Sequence, residues 1–147
     1  MPTKYTLKLF IRASAQMGEE QGEPLRFIHT ACLSEEQGEY ALHYAEGEGD
    51  ACSRVTLFFT EGARHVLTMR REGASNAEMY FSVGLEHDSL YTVSGAGTLP
   101  IKIRPKQVEN TLTPAGGRIF LVYEMEIGGA VQQNTLELTA KPIGEGE

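Results

Sequence analysis

The chain is 147 residues long, 41% hydrophobic and 22% charged, the balance of one globular domain and not of a disordered segment. A domain of this length buries about 70% of its unfolded surface without help from disulfides or metal. The formal net charge of -7 works against nonspecific binding to nucleic acid or anionic lipid, and no window of about 18 apolar residues exists to span a membrane.

The first run, "TLKLFIRASA", places Leu7, Leu9, Ile11 and Ala13 on one face and Lys8 and Arg12 on the other, which is the period of a strand. The N-terminus has no continuous apolar stretch of the signal-peptide kind, so the expected location is the cytoplasm. "PLRFIHTACL", "EYALHYAE" and "SRVTLFFTEG" follow as further strands. "RHVLTMRREG" sets Leu67, Met69 and Arg71 on the inner face, with Val66, Thr68 and Arg70 on the outer one. "AEMYFSVG", "SLYTVSG" and "TLPIKIR" continue the pattern, the last with Leu99, Ile101 and Ile103 against Lys102 and Arg104. "RIFLVYEMEIGG" and "NTLELTAK" close the series, with Leu121, Tyr123 and Met125, then Leu136 and Leu138, pointing inward.

Sixteen glycines, clustered in short turns such as "GEGD", "EGASN", "GAG" and "PAGG", punctuate these runs at the spacing of a β meander. At most one helical turn is expected, around Glu35 to Gly38 or Gln107 to Asn110. The expected architecture is all-β: a single antiparallel up-and-down barrel of eight to ten strands over residues 1–141, with 142–147 a disordered tail. Closure removes the exposed edges that a meander would otherwise leave. A two-sheet sandwich is the competitor, without a Cys–Trp–Cys core to support it.

The order of "YALHYAE", "RREG", "MYF", "LYTVSGAGTLPI", "GGRIFLVYEMEIGG" and "NTLELTAK" resembles the YwiB-like family of small bacterial proteins, a domain of unknown function, from about Leu7 to Lys141. The resemblance implies a calycin-like barrel, related in shape to lipocalins and fatty-acid-binding proteins, in a bacterial cytoplasm. It implies no activity. The family's arginine-x-glycine pattern falls on Arg71 and Gly73, its methionine-x-phenylalanine pattern on Met79 and Phe81, and the residues flanking its next turn on Tyr91 and Gly97. Where the family carries a threonine-proline-aromatic turn, this chain reads "VSGA", Val93 to Ala96.

Catalytic chemistry finds no constellation. His29, His43, His65 and His87 lie on different segments, no serine sits in a GxSxG elbow, and adjacent His87 and Asp88 point oppositely on a strand. Glu124 and Glu126 share a face, read as the solvated exterior. "AEGEGDA" lacks the spacing of a calcium loop and reads as a hairpin turn. Cys32 and Cys52 stand alone, which excludes paired-cysteine zinc and leaves them as small buried or half-buried hydrophobes. No catalytic residue, metal or cofactor is therefore expected.

Arg71, Tyr44, Tyr91 and Tyr123 remain, polar side chains among the inward-facing Leu42, Leu57, Phe59, Met79, Phe81 and Ile101. A buried guanidinium must be hydrogen-bonded or wet. Two readings stay open. Arg71 and the tyrosines anchor a small apolar or anionic ligand in the interior, as fatty-acid-binding barrels hold a carboxylate. Alternatively Arg71 closes the barrel against a carboxylate such as Glu46, and the protein is a filled interaction module or homodimer using outward Phe10, Ile28, Phe58, Phe120 and Val122.

Overall fold

A computed structural model describes residues 2–47 and 49–143. In chain order it contains β1 (Thr3–Met17), β2 (Glu20–Gln21), β3 (Leu25–Glu36), β4 (Glu39–Glu46), β5 (Ser53–Thr60) and β6 (Ala63–Gly73). Then follow β7 (Ser75–Phe81), β8 (His87–Val93), β9 (Gly97–Asn110), β10 (Gly117–Ile127) and β11 (Ala130–Pro142). Every pairing is antiparallel. β1 closes on β11 from Leu7 opposite Pro142 to Gln16 opposite Gln133, so ten strands form a ring and β2 merely folds back on β1.

Alternation decides what fills the ring. Leu33, Leu42, Leu57, Met69 and Met79 stand opposite one another across five successive strands, a continuous inner girdle. Leu7, Leu9, Leu67, Phe81, Ile103, Leu121 and Leu138 are buried with them. Packing of this kind is worth about 1.5–3 kcal/mol for each large side chain buried. Pro105, which has no N–H for a ladder, sits where the β9–β10 register shifts between Val122 and Tyr123.

One end of the barrel is plugged. Leu112, in the β9–β10 connection, is 1% exposed, and its carbonyl accepts a 2.6 Å hydrogen bond from Arg64 Nη1. The Asn110 amide donates to the Arg64 carbonyl at 3.1 Å, and the same guanidinium pairs with Glu61 while lying over the Tyr40 and Phe59 rings. Gly117, with φ of 137°, permits this fold-back, because a Cβ there would lie 2.3 Å from the Thr111 carbonyl oxygen.

The wall is thin in two places. β3 and β4 are laddered only from Cys32–His43 to Glu36–Glu39, and β7 and β8 only at Ser75–Val93 and Asn76–Thr92. Beyond that short ladder the Glu78 carbonyl accepts a 2.6 Å bond from Ser89 Oγ and lies 3.3 Å from His87 Nε2, so side chains bridge part of the gap.

Four expectations need correction. Among the described residues the single short helical turn is a 3-10 turn at Gly49–Ala51, inside the stretch read as a plain hairpin; Gln107–Asn110 belongs to β9. Glu35 to Gly38 is the β3–β4 hairpin, with Gln37 and Gly38 both at positive φ. Leu99 has inward parity but is 53% exposed, because residues 93–100 at the β8–β9 tip are all exposed. Pro142 ends β11 and is no part of a tail, while 144–147 lie outside the described residues. Glu124 and Glu126 are partly exposed and flank Arg104, at 3.5 and 3.7 Å.

Leu112→Ala should lower stability by about 2–5 kcal/mol, a fall in melting temperature of roughly 5–15 °C. Thermal denaturation followed by circular dichroism measures it; an unchanged melting temperature would mean that the loop does not plug the barrel.

Candidate functional site

At the end opposite Leu112 the girdle gives way to polar residues. Tyr44 on β4, Val55 on β5, Arg71 on β6 and Ala77 on β7 are successive cross-strand neighbours, one row beyond Leu42, Leu57, Met69 and Met79. Val55 and Tyr44 are buried, so Arg71 shares their inward face. Arg70, facing outward, is exposed, pairs with Glu78 and covers the Phe58 ring.

The corner holding Arg71 is tightly built. Gly73 has φ of 124°, and a Cβ there would lie 2.6 Å from the Cys52 carbonyl oxygen, so the β4–β5 connection packs directly on the end of β6. Ala74 N–H donates to that carbonyl at 3.0 Å, Ser75 N–H to Ser53 Oγ at 3.0 Å, and the Asn76 amide bridges back to Gly73. This arrangement brings Glu46, the last residue of β4, to the guanidinium. Arg71 Nη1 donates to Glu46 Oε1 at 2.6 Å, the arginine side chain being 16% exposed and the glutamate 41%.

The candidate residues converge. Burial opposes the Arg71 charge, but the bond to Glu46 and its charge prevail and raise the guanidinium further above its ordinary range, with Tyr91 and Tyr44 acting in the same direction. Burial raises the Tyr44 phenol strongly, reinforced by the Glu46 charge and opposed by that of Arg71. Burial likewise raises Tyr123, against the opposing effects of a bond to Asn134 and the Arg71 charge. Tyr91 is half-buried nearby on β8.

One member was not singled out in the sequence. His29 stands opposite buried Leu9, facing inward, and its ring stacks on Tyr44 at 5.4 Å and on Phe27 at 6.1 Å. The stack crosses the stretch where β3 and β4 are no longer laddered. The signal was present in "FIHTACL", where Phe27, His29, Ala31 and Leu33 alternate inward. His29 Nε2 and Arg71 Nε are both buried without a hydrogen-bond partner. A cleft of about 210 Å³ opens between Ala13, Ala15, Leu25, Tyr123, Asn134 and Leu136, and of the site residues Tyr123 lines it.

The arrangement offers a guanidinium, an imidazole and phenols at one end of the barrel, which is hydrogen-bonding chemistry for an anion or a polar group. Among the described residues no three His, Cys, Asp or Glu side chains converge as metal ligands. Cys32 and Cys52 are free and half-buried. No helix among these residues is long and apolar enough to cross a membrane.

Comparison with known proteins accords with this architecture. The family described as Domain of unknown function (DUF1934) matches residues 11–138. The chain belongs to that family. This DUF1934 barrel is similar to a solved structure titled as the ywiB protein from Bacillus subtilis, with a TM-score of 0.83 and 20% identity over 96% of this chain and 94% of that one. At that identity the likeness is one of fold. No curated protein matches the chain. The order of motifs read in the sequence thus pointed to the right family.

Because Tyr44 and Tyr123 are held neutral in the folded protein, the unfolded chain releases those protons at lower pH. The stability they contribute is complete below the ordinary phenol value of 10.0 and is lost as pH rises above it. In an ultraviolet phenolate titration, both should ionise together with alkaline unfolding. Tyr44→Phe and Tyr123→Phe combined should remove that late component; its persistence would place the two phenols in water.

Proposed function

We propose that this DUF1934 barrel binds a small anionic molecule at its polar mouth, held by Arg71 and His29 with Tyr44, Tyr91 and Tyr123 around it. The observation supporting this reading is the pair of buried, partnerless nitrogens, Arg71 Nε and His29 Nε2, on the inner wall of one barrel end. Each unsatisfied buried polar atom costs about 1–3 kcal/mol. A ligand carboxylate, accepting from Arg71 Nε–H and from His29 Nε2–H, would relieve both at once. The ligand is compact, since the girdle of Leu33, Leu42, Leu57, Met69 and Met79 fills the space behind and leaves no room for a long acyl chain. The calycin-like shape fits a carrier of this kind, and two free thiols fit a reducing compartment such as a bacterial cytoplasm.

One observation favours the second reading, a filled barrel acting through its surface. Glu46 already occupies Arg71 at 2.6 Å, the closure contact that reading requires. Under the ligand reading Glu46 is a tethered competitor, and removing its charge frees the guanidinium.

The two separate by titration calorimetry with short aliphatic and aromatic carboxylates, using their neutral amides as controls. Carboxylates alone should bind, Arg71→Met should weaken them at least tenfold, and Glu46→Gln should tighten them several-fold while lowering the melting temperature. If no carboxylate binds, or if Glu46→Gln only destabilises, the filled-module reading stands. Native mass spectrometry of freshly purified protein adds an independent check, because a retained ligand appears as added mass.

A further inference from the structure

The outer face of β11, β1 and β3 carries a pattern that the mouth does not explain. Lys8 stands directly opposite Lys141, and Arg12 directly opposite Arg26. Like charges in cross-strand register destabilise a sheet. None of the four makes an ion pair with a described residue. Glu137, opposite Arg12, is instead engaged by Arg118 at 2.6 Å. An acidic protein has thus gathered on one face four cations that no described residue meets in an ion pair.

Between them lies an apolar floor. Two adjoining clefts of about 680 and 270 Å³ share Phe10 and Ile28. Lys8 and Lys141 each sit 5.5 Å from the Phe10 ring centre, while Ile28 is 63% exposed. Beside this floor β3 has no ladder to β4 from Leu25 to Ala31 among the described residues. That stretch includes Leu25 and Phe27, 59% and 43% exposed. A free, apolar strand edge is a template for another strand, and proteins ordinarily blunt or cover one.

We propose that the β3 edge at residues 25–31 accepts an extended acidic segment of a partner protein by strand addition. The backbone edge supplies main-chain hydrogen bonds, and the outer face supplies selectivity. A carboxylate opposite Arg26 and an aliphatic side chain two residues away, opposite Ile28, match the strand period. The surrounding cations select acidic over basic segments and speed the encounter. A polyphosphate chain fits less well, because it offers no aliphatic group to the floor and meets a net charge of -7 on the whole protein. A second copy docking by the same face would set cation against cation.

The test uses a fluorescein-labelled peptide of alternating glutamate and valine, followed by anisotropy at low salt. It should bind saturably, slow amide hydrogen exchange at residues 25–31, and weaken as salt rises. Arg26→Glu should weaken binding about tenfold. The same change should leave the melting temperature unchanged or higher, since it turns the Arg12–Arg26 clash into an attractive pair. The proposal is overturned by absence of binding, by equal affinity for a lysine–valine peptide, or by indifference to Arg26→Glu. It is equally overturned if single-stranded oligothymidine or phosphatidylglycerol vesicles bind this face and the acidic peptide does not compete.

Discussion

Everything else in this molecule depends on the seam between β1 and β11. A ten-strand antiparallel meander has two free edges until that ladder, from Leu7–Pro142 to Gln16–Gln133, joins them. Once joined, the inward half of every strand faces a shared interior, and alternation along the chain becomes a statement about radius. The girdle of leucines and methionines is a core only because the ring is closed. The polar row beside it is a mouth for the same reason.

The two ends of the barrel solve opposite problems. At one, a loop turns inward and Leu112 is held in place by Arg64, whose guanidinium is itself satisfied by Glu61 and a backbone carbonyl. At the other, the β3–β4 ladder ends at Cys32–His43, and Arg71, His29 and the tyrosines line the interior beyond it. At the first end Arg64 and Asn110 find partners. The second keeps two polar nitrogens without partners, and this asymmetry gives the proposed site its location.

Much of this was legible in the amino-acid order, because period two reports faces directly. Leu67, Met69 and Arg71 point inward as read, Arg70 points outward, and Glu46 is the carboxylate that meets Arg71. Parity does not report how far a strand projects beyond its neighbours, which is why Leu99, of inward parity, ends in solvent. Nor does it reach loops: Leu112 has no periodic neighbours in "TLTPAGG", and its burial depends on a contact with Arg64, far away in sequence. His29 escaped for another reason. A histidine within an alternating run is equally at home on either face, so the parity it shares with Ala31 and Leu33 carries little weight without its register with buried Leu9.

The short ladder between β7 and β8 has a consequence for how the chain can be divided. Two paired positions, a Ser94 N–H to Ala74 carbonyl bond of 2.8 Å just beyond them, and the Phe81–His87 connection carry the backbone continuity across that junction. On one side lie β1 through β7, on the other β8 through β11, each a meander laddered from strand to strand within itself, though β3 and β4 only in part. The barrel is therefore two curved ribbons, held together chiefly along the β1–β11 seam. A chain cut between Phe81 and His87, with its original ends joined across the seam, would keep nearly every backbone bond of the parent. Here the fold offers itself for circular permutation or for division into two complementing fragments.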